Sequence, residues 1–589
     1  MKKRSEIDEK YKWDLSRFVK DDKDVEDIMK YIKDRIPAVK KYYGKLSDKQ
    51  MLLNLLEEDE KEDKYTSRLG FFLYNMLQVD DSNTKYLKYS QMCDVLSQES
   101  AEASAFVYPQ MLELPDEYLD ELINDKQLWK YKRYFTGIKR DKAHKLSEYD
   151  AQFLSKMSLC LGNDSEVYET LTTSEIQFED ALDSDGNKHI VNHAEMAKLI
   201  DSPDRTLRKN AFKSMRKGYA EKNKTITQLY INDMRLCDFN RKLRRFNSYK
   251  EWCLYGEEIP KIVYDKLIEQ INLRVATFQE MVRLRKKYLG YDDVAYWDII
   301  ASVGNDKTYT VEQAIQWIKE CTKILGDEYQ QLLKEKFEQK VIDYLPNENK
   351  QNGGYSWSIY GYPSVICMNF VDDFDSVSTL SHEIGHAIHS EFSNKNQPRQ
   401  LADYNIIVAE EASTVNQILL NLHVRKTATK EENLALIFEF LDNVSGTIFK
   451  QTLFSEFEDF AHSQIEQANP ITYEDLNNKY YELNKKYYGE SIELPEELKY
   501  DWSRIPHFYT PFYVYKYATG FVSALCIVQN LLEDSEYYKK YINFLKSGCS
   551  KPSVELLQDI DVDLTTDEPY NKAFKFVDNI LNELKQILN

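Results

Sequence analysis

Two histidines and a glutamate in the segment STLSHEIGHAIHSEF, residues 378–392, have the types and the spacing of a metal site. His382 and His386 are four residues apart, so on a helix both imidazoles project from one face and can bind one ion. Glu383 is displaced around that helix and can reach water on the ion instead of the ion itself. The chain has nine histidines in 589 residues, so chance is a poor explanation of the pattern.

A catalytic zinc ion takes three protein ligands and keeps one position open, so a third ligand must come from elsewhere in the chain. Within the same segment, His389 and Glu391 are candidates. His389 lies two helical turns from His382, too far for both to bind one tetrahedral ion.

Two further candidates, Glu410 and Glu411, interrupt the otherwise apolar helical pattern of residues 404–424. A buried carboxylate needs a partner. Adjacent helical residues differ by about 100° in direction, so one of the two glutamates can face a metal while the other faces away. Helix geometry leaves the choice between them open.

The histidine segment must be positioned by the elements around it. Immediately before it, residues 344–370 carry two β-prone stretches separated by glycines and prolines, which predicts a hairpin leading into the histidine helix. Amphipathic helical patterns cover most of the chain, and an Asp185–Gly186 turn predicts a second small hairpin. We place a domain boundary there, with a helical domain over 1–195 and a catalytic domain over 196–589.

Composition favours a mainly helical protein, because only 18 glycines and 14 prolines occur in 589 residues. The formal net charge of −20 repels phosphate backbones and anionic lipids, so nucleic acid and membrane-surface partners are not expected. We find neither an export signal nor a run of about 18 apolar residues. Eight scattered cysteines without a CxxC pair fit reduced thiols, so a cytoplasmic protein is expected.

These segments resemble the oligoendopeptidase F branch of the thimet-type zinc oligopeptidases, a gluzincin family. The family carries HExGH and, one helix later, E-x-x-S, which match HEIGH at 382–386 and EEAS at 410–413. The likeness extends to YKWDLSRF near the start, to NGGYSW before the motif and to RIPHFYTPFYVYKYATG at 504–520, and so covers essentially the whole chain.

The resemblance implies a helical clamshell that encloses a deep channel, with its small sheet next to the HExxH helix. It makes Glu410 the third zinc ligand, with Glu411 as the alternative if the helix register differs. The family also lines the site opposite the metal with a histidine and tyrosines. These correspond here to His507, Tyr513 and Tyr517, and the alternating Tyr509 and Tyr515 are close competitors.

The sequence therefore predicts an endopeptidase with one zinc ion bound by His382, His386 and Glu410, acting on short unstructured peptides. Glu383 is the expected general base. Nitrogen and oxygen ligands also accept cobalt or manganese. Two rival hypotheses are a non-catalytic helical peptide-binding protein and a metallocarboxypeptidase or aminopeptidase on the same scaffold. The sequence does not indicate an oligomeric state.

Overall fold

Helices form most of the chain, which confirms the mainly α class predicted from composition. The computed structural model describes residues 2–157, 160–301, 303 and 307–589. The first helices are α1 (Asp22–Arg35), α2 (Lys49–Val79), α3 (Thr84–Ser104), α4 (Val107–Glu113), α5 (Asp116–Asn124), α6 (Lys132–Asp141), α7 (Glu148–Met157), α8 (Asp164–Thr170) and α9 (His193–Ile200).

The remaining α-helices follow from residue 205 to the end of the chain. They are α10 (Arg205–Leu243), α11 (Tyr249–Gly256), α12 (Lys261–Asn272), α13 (Val275–Leu289), α14 (Tyr296–Ile299), α15 (Val311–Cys321), α16 (Asp327–Glu338), α17 (Phe374–Asn396), α18 (Ile406–Arg425), α19 (Lys430–Asn443), α20 (Gln451–Glu466), α21 (Tyr473–Tyr488), α22 (Tyr515–Glu533), α23 (Tyr538–Leu545), α24 (Ser553–Gln558) and α25 (Glu568–Leu588).

Shorter helical segments connect these elements. Two have π geometry, Leu171–Glu175 and Val444–Lys450. The 3-10 segments are Arg4–Glu6, Glu9–Tyr11, Ile36–Tyr42, Trp129–Tyr131, Lys142–His144, Thr322–Leu325, Arg399–Leu401, Glu496–Arg504 and Pro506–Tyr509.

Both predicted hairpins are present. Strands β1 (Ala181–Leu182) and β2 (Lys188–His189) pair antiparallel across the predicted turn, in which Gly186 has a φ of +84°. That left-handed conformation is open to glycine at no steric cost. The domain division near residue 195 stays a prediction.

A three-stranded sheet lies next to α17. It consists of β3 (Ile342–Asp343), β4 (Tyr355–Trp357) and β5 (Val365–Cys367) in the order β3-β5-β4. Strands β4 and β5 form the predicted antiparallel hairpin, and β3 adds in parallel to β5. The pattern did not predict β3, because two residues are too few to show a strand period. Among the described residues, β4 pairs with β5 alone and so is an edge strand.

Helix α18 lies at the centre of a group of packed helices. It packs against α17 on one side and α22 on another, and α22 packs against α25. Helices α18 and α22 are buried around most of their circumference, as expected for helices that are apolar on nearly all faces. Of the third-ligand candidates on α18, Glu411 is fully buried and Glu410 is half-buried.

Within the described residues, none of the helices has the length and apolar character needed to cross a lipid bilayer.

Candidate metal centre

Helix α17 presents the two motif histidines to one point. Its N-terminus is capped by Asp373, whose side chain accepts a hydrogen bond from the Ser376 N–H at 2.8 Å. Ile384 and Ile388, fully buried, anchor the opposite face. The Nε2 atoms of His382 and His386 lie 3.1 Å apart. Two ring nitrogens this close can bind the same ion.

A carboxylate from α18 reaches the same point. Glu410 Oε2 lies 3.4 Å from Nε2 of His382 and 3.7 Å from Nε2 of His386. Donor atoms of these three residues all lie within 4.8 Å of one another. Two imidazole nitrogens and one carboxylate oxygen form a donor set that zinc takes in catalytic sites. The residues present therefore fit a zinc ion.

The close approach of α17 and α18 depends on a glycine. A Cβ atom at Gly385 would lie 2.5 Å from Ser413 Cα and 2.6 Å from the Ala412 carbonyl oxygen. Neither backbone atom can move without shifting α18. The glycine between the two motif histidines thus lets α18 bring Glu410 up to their rings.

The orientation of His382 is set by a hydrogen bond that the sequence did not reveal. Nδ1 of His382 lies 2.9 Å from Oε1 of Gln417, and the Gln417 amide nitrogen donates to Ser378 Oγ at 3.1 Å. With its amide nitrogen engaged, Gln417 presents an acceptor to the imidazole, so Nδ1 carries the proton and Nε2 presents its lone pair. Gln417 stands seven residues after Glu410, two helical turns along, and that spacing was the available signal.

The surroundings of His386 favour its neutral form, which is the form that binds metal. Burial lowers its pKa well below the usual value, and the neighbouring rings of His382 and His389 lower it further. The imidazole also hydrogen-bonds the backbone of Ala409, one residue before Glu410.

Glu383 lies beside the three ligand candidates in a different electrostatic setting. Its side chain is 7% exposed, and burial raises its pKa to about 7. The Glu410 carboxylate also raises the pKa of Glu383. The His382 ring and a hydrogen bond from the Ser356 N–H of β4 lower it. A carboxyl group that titrates near neutral pH can both accept and return a proton.

Two of the other ligand candidates lie away from this point. His389 is 1% exposed and stacks on Tyr404 with ring centroids 3.8 Å apart, and burial lowers its pKa to about 3. Glu391 accepts hydrogen bonds from Lys336 Nζ at 2.7 Å and from the Ser364 N–H at 3.0 Å. Glu391 thereby ties α16 and the start of β5 to α17.

Glu411, about 100° further around α18, is not part of the group that Glu410 forms with the two histidines. It is fully buried beside Ser523 and Tyr541, and this burial raises the pKa of its carboxyl well above the usual value. The two adjacent glutamates that sequence geometry left open thus occupy different surroundings, and the one near the imidazoles is Glu410.

Three predicted residues of the 504–520 segment form a cluster. Ring centroids of Tyr513 and Tyr517 are 5.4 Å apart, and His507 lies 6.5 Å from the first and 6.2 Å from the second. Burial, a hydrogen bond with Tyr513 and the charge of Glu410 all raise the pKa of Tyr517. A Cβ at Gly520, one turn later on α22, would lie 3.7 Å from Glu410 Cβ. The cluster is therefore next to Glu410 of the candidate metal site.

The competing tyrosines pack elsewhere. Tyr509 packs against Tyr168 in a tilted arrangement with ring centroids 4.6 Å apart, and its ring centroid lies 5.9 Å from that of Tyr230. Tyr515 is 1% exposed and packs edge-on against Tyr264 at 5.2 Å. Both rings belong to the aromatic core behind the segment.

A cavity of about 690 Å³ opens next to His386 and Glu410. Its walls come from both predicted domains, namely from α2 and from the edge strand, α17 and the start of α18. The lining residues are Asp63, Ser67, Gly70, Phe71, Ser356, Trp357, Ser358, Ile359, Tyr360, His386, Ser390, Asn394, Arg399, Ala402, Asp403, Tyr404, Ile406, Ala409 and Glu410.

Comparison with known proteins identifies two family models in the chain. The model described as peptidase family M3 matches residues 198–576, and the model described as oligopeptidase F matches residues 110–178. Oligopeptidase PepF of Bacillus subtilis (strain 168) is 32% identical over 593 residues, which cover 99% of this chain and 88% of that protein.

Solved structures show the same relationship. A candidate peptidase from Chlamydophila abortus superposes with a TM-score of 0.94 at 30% identity, covering all of both chains. The crystal structure of oligoendopeptidase-F from Enterococcus faecium superposes with a TM-score of 0.73 at 26% identity, covering 96% of this chain and 99% of the other.

Proposed function

The chain belongs to peptidase family M3 and is a peptidase, and from this premise we propose that it is a zinc-dependent endopeptidase for short, unstructured peptides. The observation that carries the proposal is the convergence of His382, His386 and Glu410 beside Glu383, at the wall of a cavity. Peptide hydrolysis follows from the family; the metal, the residue roles and the substrate class are the proposal.

The metal ligands in this proposal are His382 and His386 through Nε2, and Glu410 through its carboxylate. Zinc, when bound, would act as a Lewis acid: it would polarise a peptide carbonyl and lower the pKa of water to about 7. Gln417 and Ser378 hold the His382 imidazole in the tautomer that this role requires. The burial of His386, which lowers its pKa and so favours the neutral imidazole, supports the same role.

Glu383 is the general base. It takes a proton from the attacking water and returns it to the departing amine, so that the carboxyl ends the cycle as it began. A pKa near 7 supports both transfers, because the carboxylate is populated at neutral pH and its conjugate acid is strong enough to protonate the amine. The Ser356 N–H and the apolar surroundings keep the carboxyl in place between these steps.

His507, Tyr513 and Tyr517 stabilise the oxyanion of the tetrahedral intermediate through N–H and O–H donors. Their mutual distances of 5.4–6.5 Å between ring centroids leave them room to converge on one substrate oxygen. The position of Tyr517 beside Glu410 supports this role.

The edge strand β4 supplies a backbone surface for the substrate. An extended peptide that pairs with β4 gains main-chain hydrogen bonds whatever its side chains are, which gives broad sequence specificity. In this proposal the substrate enters as an extended chain into the cavity that α2, β4, α17 and the start of α18 line.

Cleavage of internally quenched peptides, with free and with blocked ends, tests the proposal. An endopeptidase cleaves both sets, and a chelator abolishes the activity until zinc is restored. If only peptides with a free end are cleaved, the protein is an exopeptidase and the endopeptidase proposal is wrong. If the purified protein contains no metal and cleaves no peptide, the result supports the rival hypothesis of a non-catalytic peptide-binding protein.

We also propose a cytoplasmic location. All eight cysteines are free thiols, and five of them are buried. Free thiols without disulfides are typical of proteins in a reducing compartment. Cell fractionation with a compartment marker tests this, and recovery outside the cytoplasm would refute it.

A further inference from the structure

A backbone turn in the middle of the 504–520 segment has a strained conformation. Phe512 has a φ of +56°, in the left-handed region that residues with a side chain rarely adopt. Such a conformation persists where the surrounding structure holds it, and it occurs preferentially at functional sites. Phe512 directly precedes Tyr513 of the proposed oxyanion cluster.

Phe512 is held through both its backbone and its ring. Its N–H donates a hydrogen bond of 2.7 Å to Oε1 of Glu458 on α20, a side chain that is 1% exposed. Its ring, 2% exposed, packs among Tyr249, Tyr264 and His462, with centroids 5.1–6.5 Å apart. We call these three rings the aromatic cage. The turn is thus anchored to α20 by a buried acceptor.

The anchored turn determines where the next residues go. The Tyr513 carbonyl accepts a hydrogen bond from the Lys516 N–H at 3.2 Å, at the start of α22, and this helix carries Tyr517. On the other side of the turn, the Thr510 N–H donates to the His507 carbonyl at 2.9 Å. A shift at Phe512 therefore reaches all three residues of the cluster.

We propose that Glu458 is a positioning residue, which holds Phe512 in its left-handed turn and thereby places His507, Tyr513 and Tyr517 for oxyanion stabilisation. This inference rests on the proposed function, because it assigns Glu458 an effect through that cluster. Glu458 touches neither metal ligands nor cavity. The contact that carries this role is geometric: Oε1 of Glu458 accepts the Phe512 N–H at 2.7 Å, and a carboxyl oxygen can do so whether the group is charged or neutral.

Two substitutions of Glu458 distinguish the effect of its hydrogen-bond acceptor from the effect of its side-chain volume. Glu458→Leu fills the same space without an acceptor, and the unpaired Phe512 N–H relaxes out of the turn. We expect kcat to fall about 10- to 100-fold, because small displacements of catalytic groups have effects of that size, with KM within twofold and zinc retained. Glu458→Gln keeps a carbonyl acceptor and restores kcat to within about threefold of the original protein.

Tyr264→Phe is the matched control. The Tyr264 hydroxyl donates to the Ser455 carbonyl at 2.8 Å on the same helix, so this variant loses a buried hydrogen bond on α20 while the cage ring and the Phe512 bond remain. We expect a lower melting temperature and an unchanged kcat. A kcat loss in Tyr264→Phe equal to that in Glu458→Leu would reduce the effect to general destabilisation and overturn the inference.

A double variant distinguishes this inference from the proposed function. If Tyr517→Phe lowers kcat and Glu458→Leu adds little in that background, the two act as one unit. If Tyr517→Phe lowers kcat and Glu458→Leu alone keeps it within twofold, the proposed function stands and the inference fails. If His507→Ala, Tyr513→Phe and Tyr517→Phe each leave kcat unchanged, the oxyanion role fails and the inference fails with it.

A second variant covers the case in which Glu458→Leu does not fold. Phe512→Ala empties the aromatic cage and leaves Glu458 in place, so the turn loses its ring anchor instead of its acceptor. The same fall in kcat at constant KM and zinc content is expected. An unchanged kcat in folded Phe512→Ala would overturn the inference.

Discussion

Nδ1 of His382 lies 2.9 Å from Oε1 of Gln417, a residue on the neighbouring helix α18. The same helix carries Glu410, whose Oε2 lies 3.4 Å from the other nitrogen of that imidazole. One helix thus provides both the carboxylate beside the ring and the amide that orients the ring. Binding of a metal by His382 would therefore depend on α18 both for the Glu410 carboxylate and for the Gln417 amide.

Replacing Gln417 by leucine is expected to weaken zinc binding about 10- to 100-fold, because the His382 ring loses the acceptor that fixes its tautomer. Competition with a chromophoric chelator measures this affinity. Gln417→Glu keeps an acceptor at the same position and is expected to retain tight binding. Equal zinc affinity in Gln417→Leu and the original protein would contradict the orienting role.

Glu383→Gln is expected to keep zinc and to lower kcat about 10²- to 10⁴-fold, the contribution of a positioned general base. Glutamine has nearly the same shape as glutamate but accepts no proton. Metal analysis of the purified variant and quenched-peptide kinetics measure the two properties. Turnover within tenfold of the original protein would refute the assignment of Glu383.

Glu410→Gln is expected to lose zinc on dialysis, whereas Glu411→Gln is expected to keep it. The two residues are adjacent in sequence, but Glu410 lies beside the imidazoles and Glu411 lies in the interior near Ser523. Metal content per chain provides the comparison, with each variant as the control for the other. The reverse result would reassign the third ligand to Glu411.

Gly385→Ala is expected to destabilise the protein by about 1–3 kcal/mol, the usual cost of overpacking a core. The added methyl group lies 2.5 Å from Ser413 Cα, so α18 must move and carry Glu410 away from the histidines. We expect zinc affinity to fall as well. Gly137→Ala in α6 is the control, because its added Cβ meets no described atom within 4 Å. Gly385→Ala with unchanged stability and zinc affinity would contradict the close packing.

Glu439 on α19 is expected to make stability decrease with rising pH. Burial, together with the charges of Asp375 and Asp442, raises its pKa to about 8. Since its unfolded pKa is about 4.3, the folded state binds the extra proton, and this stabilisation is full below pH 4.3 and lost as pH rises to 8. Glu439→Gln mimics the protonated form, so its melting temperature should exceed that of the original protein by several degrees at pH 8.

The comparison at low pH is the control for this prediction. Below pH 4.3 both the folded and the unfolded carboxyl are protonated, so the two proteins should differ little in melting temperature. A constant difference across pH 4–8 would show that Glu439 does not titrate in this range.

Much of the fold was predictable from local patterns. Helical periodicity identified the helical class, and Asp-Gly and Gly-rich stretches located both hairpins, because these signals depend on residues close in sequence. Strand β3 was missed, because two residues carry no period and its pairing partner β5 comes more than twenty residues later.

For the candidate site, the sequence by itself determined the HExxH helix, because residues four apart share a helix face whatever surrounds them. Helix geometry left the choice between Glu410 and Glu411 as third ligand open, and only the family resemblance favoured Glu410. Only the tertiary structure decided which of them faces the imidazoles, which amide orients His382, and how Phe512 is held by Glu458. These relationships depend on the rotation and separation of helices distant in sequence, which packing sets and local periodicity does not encode.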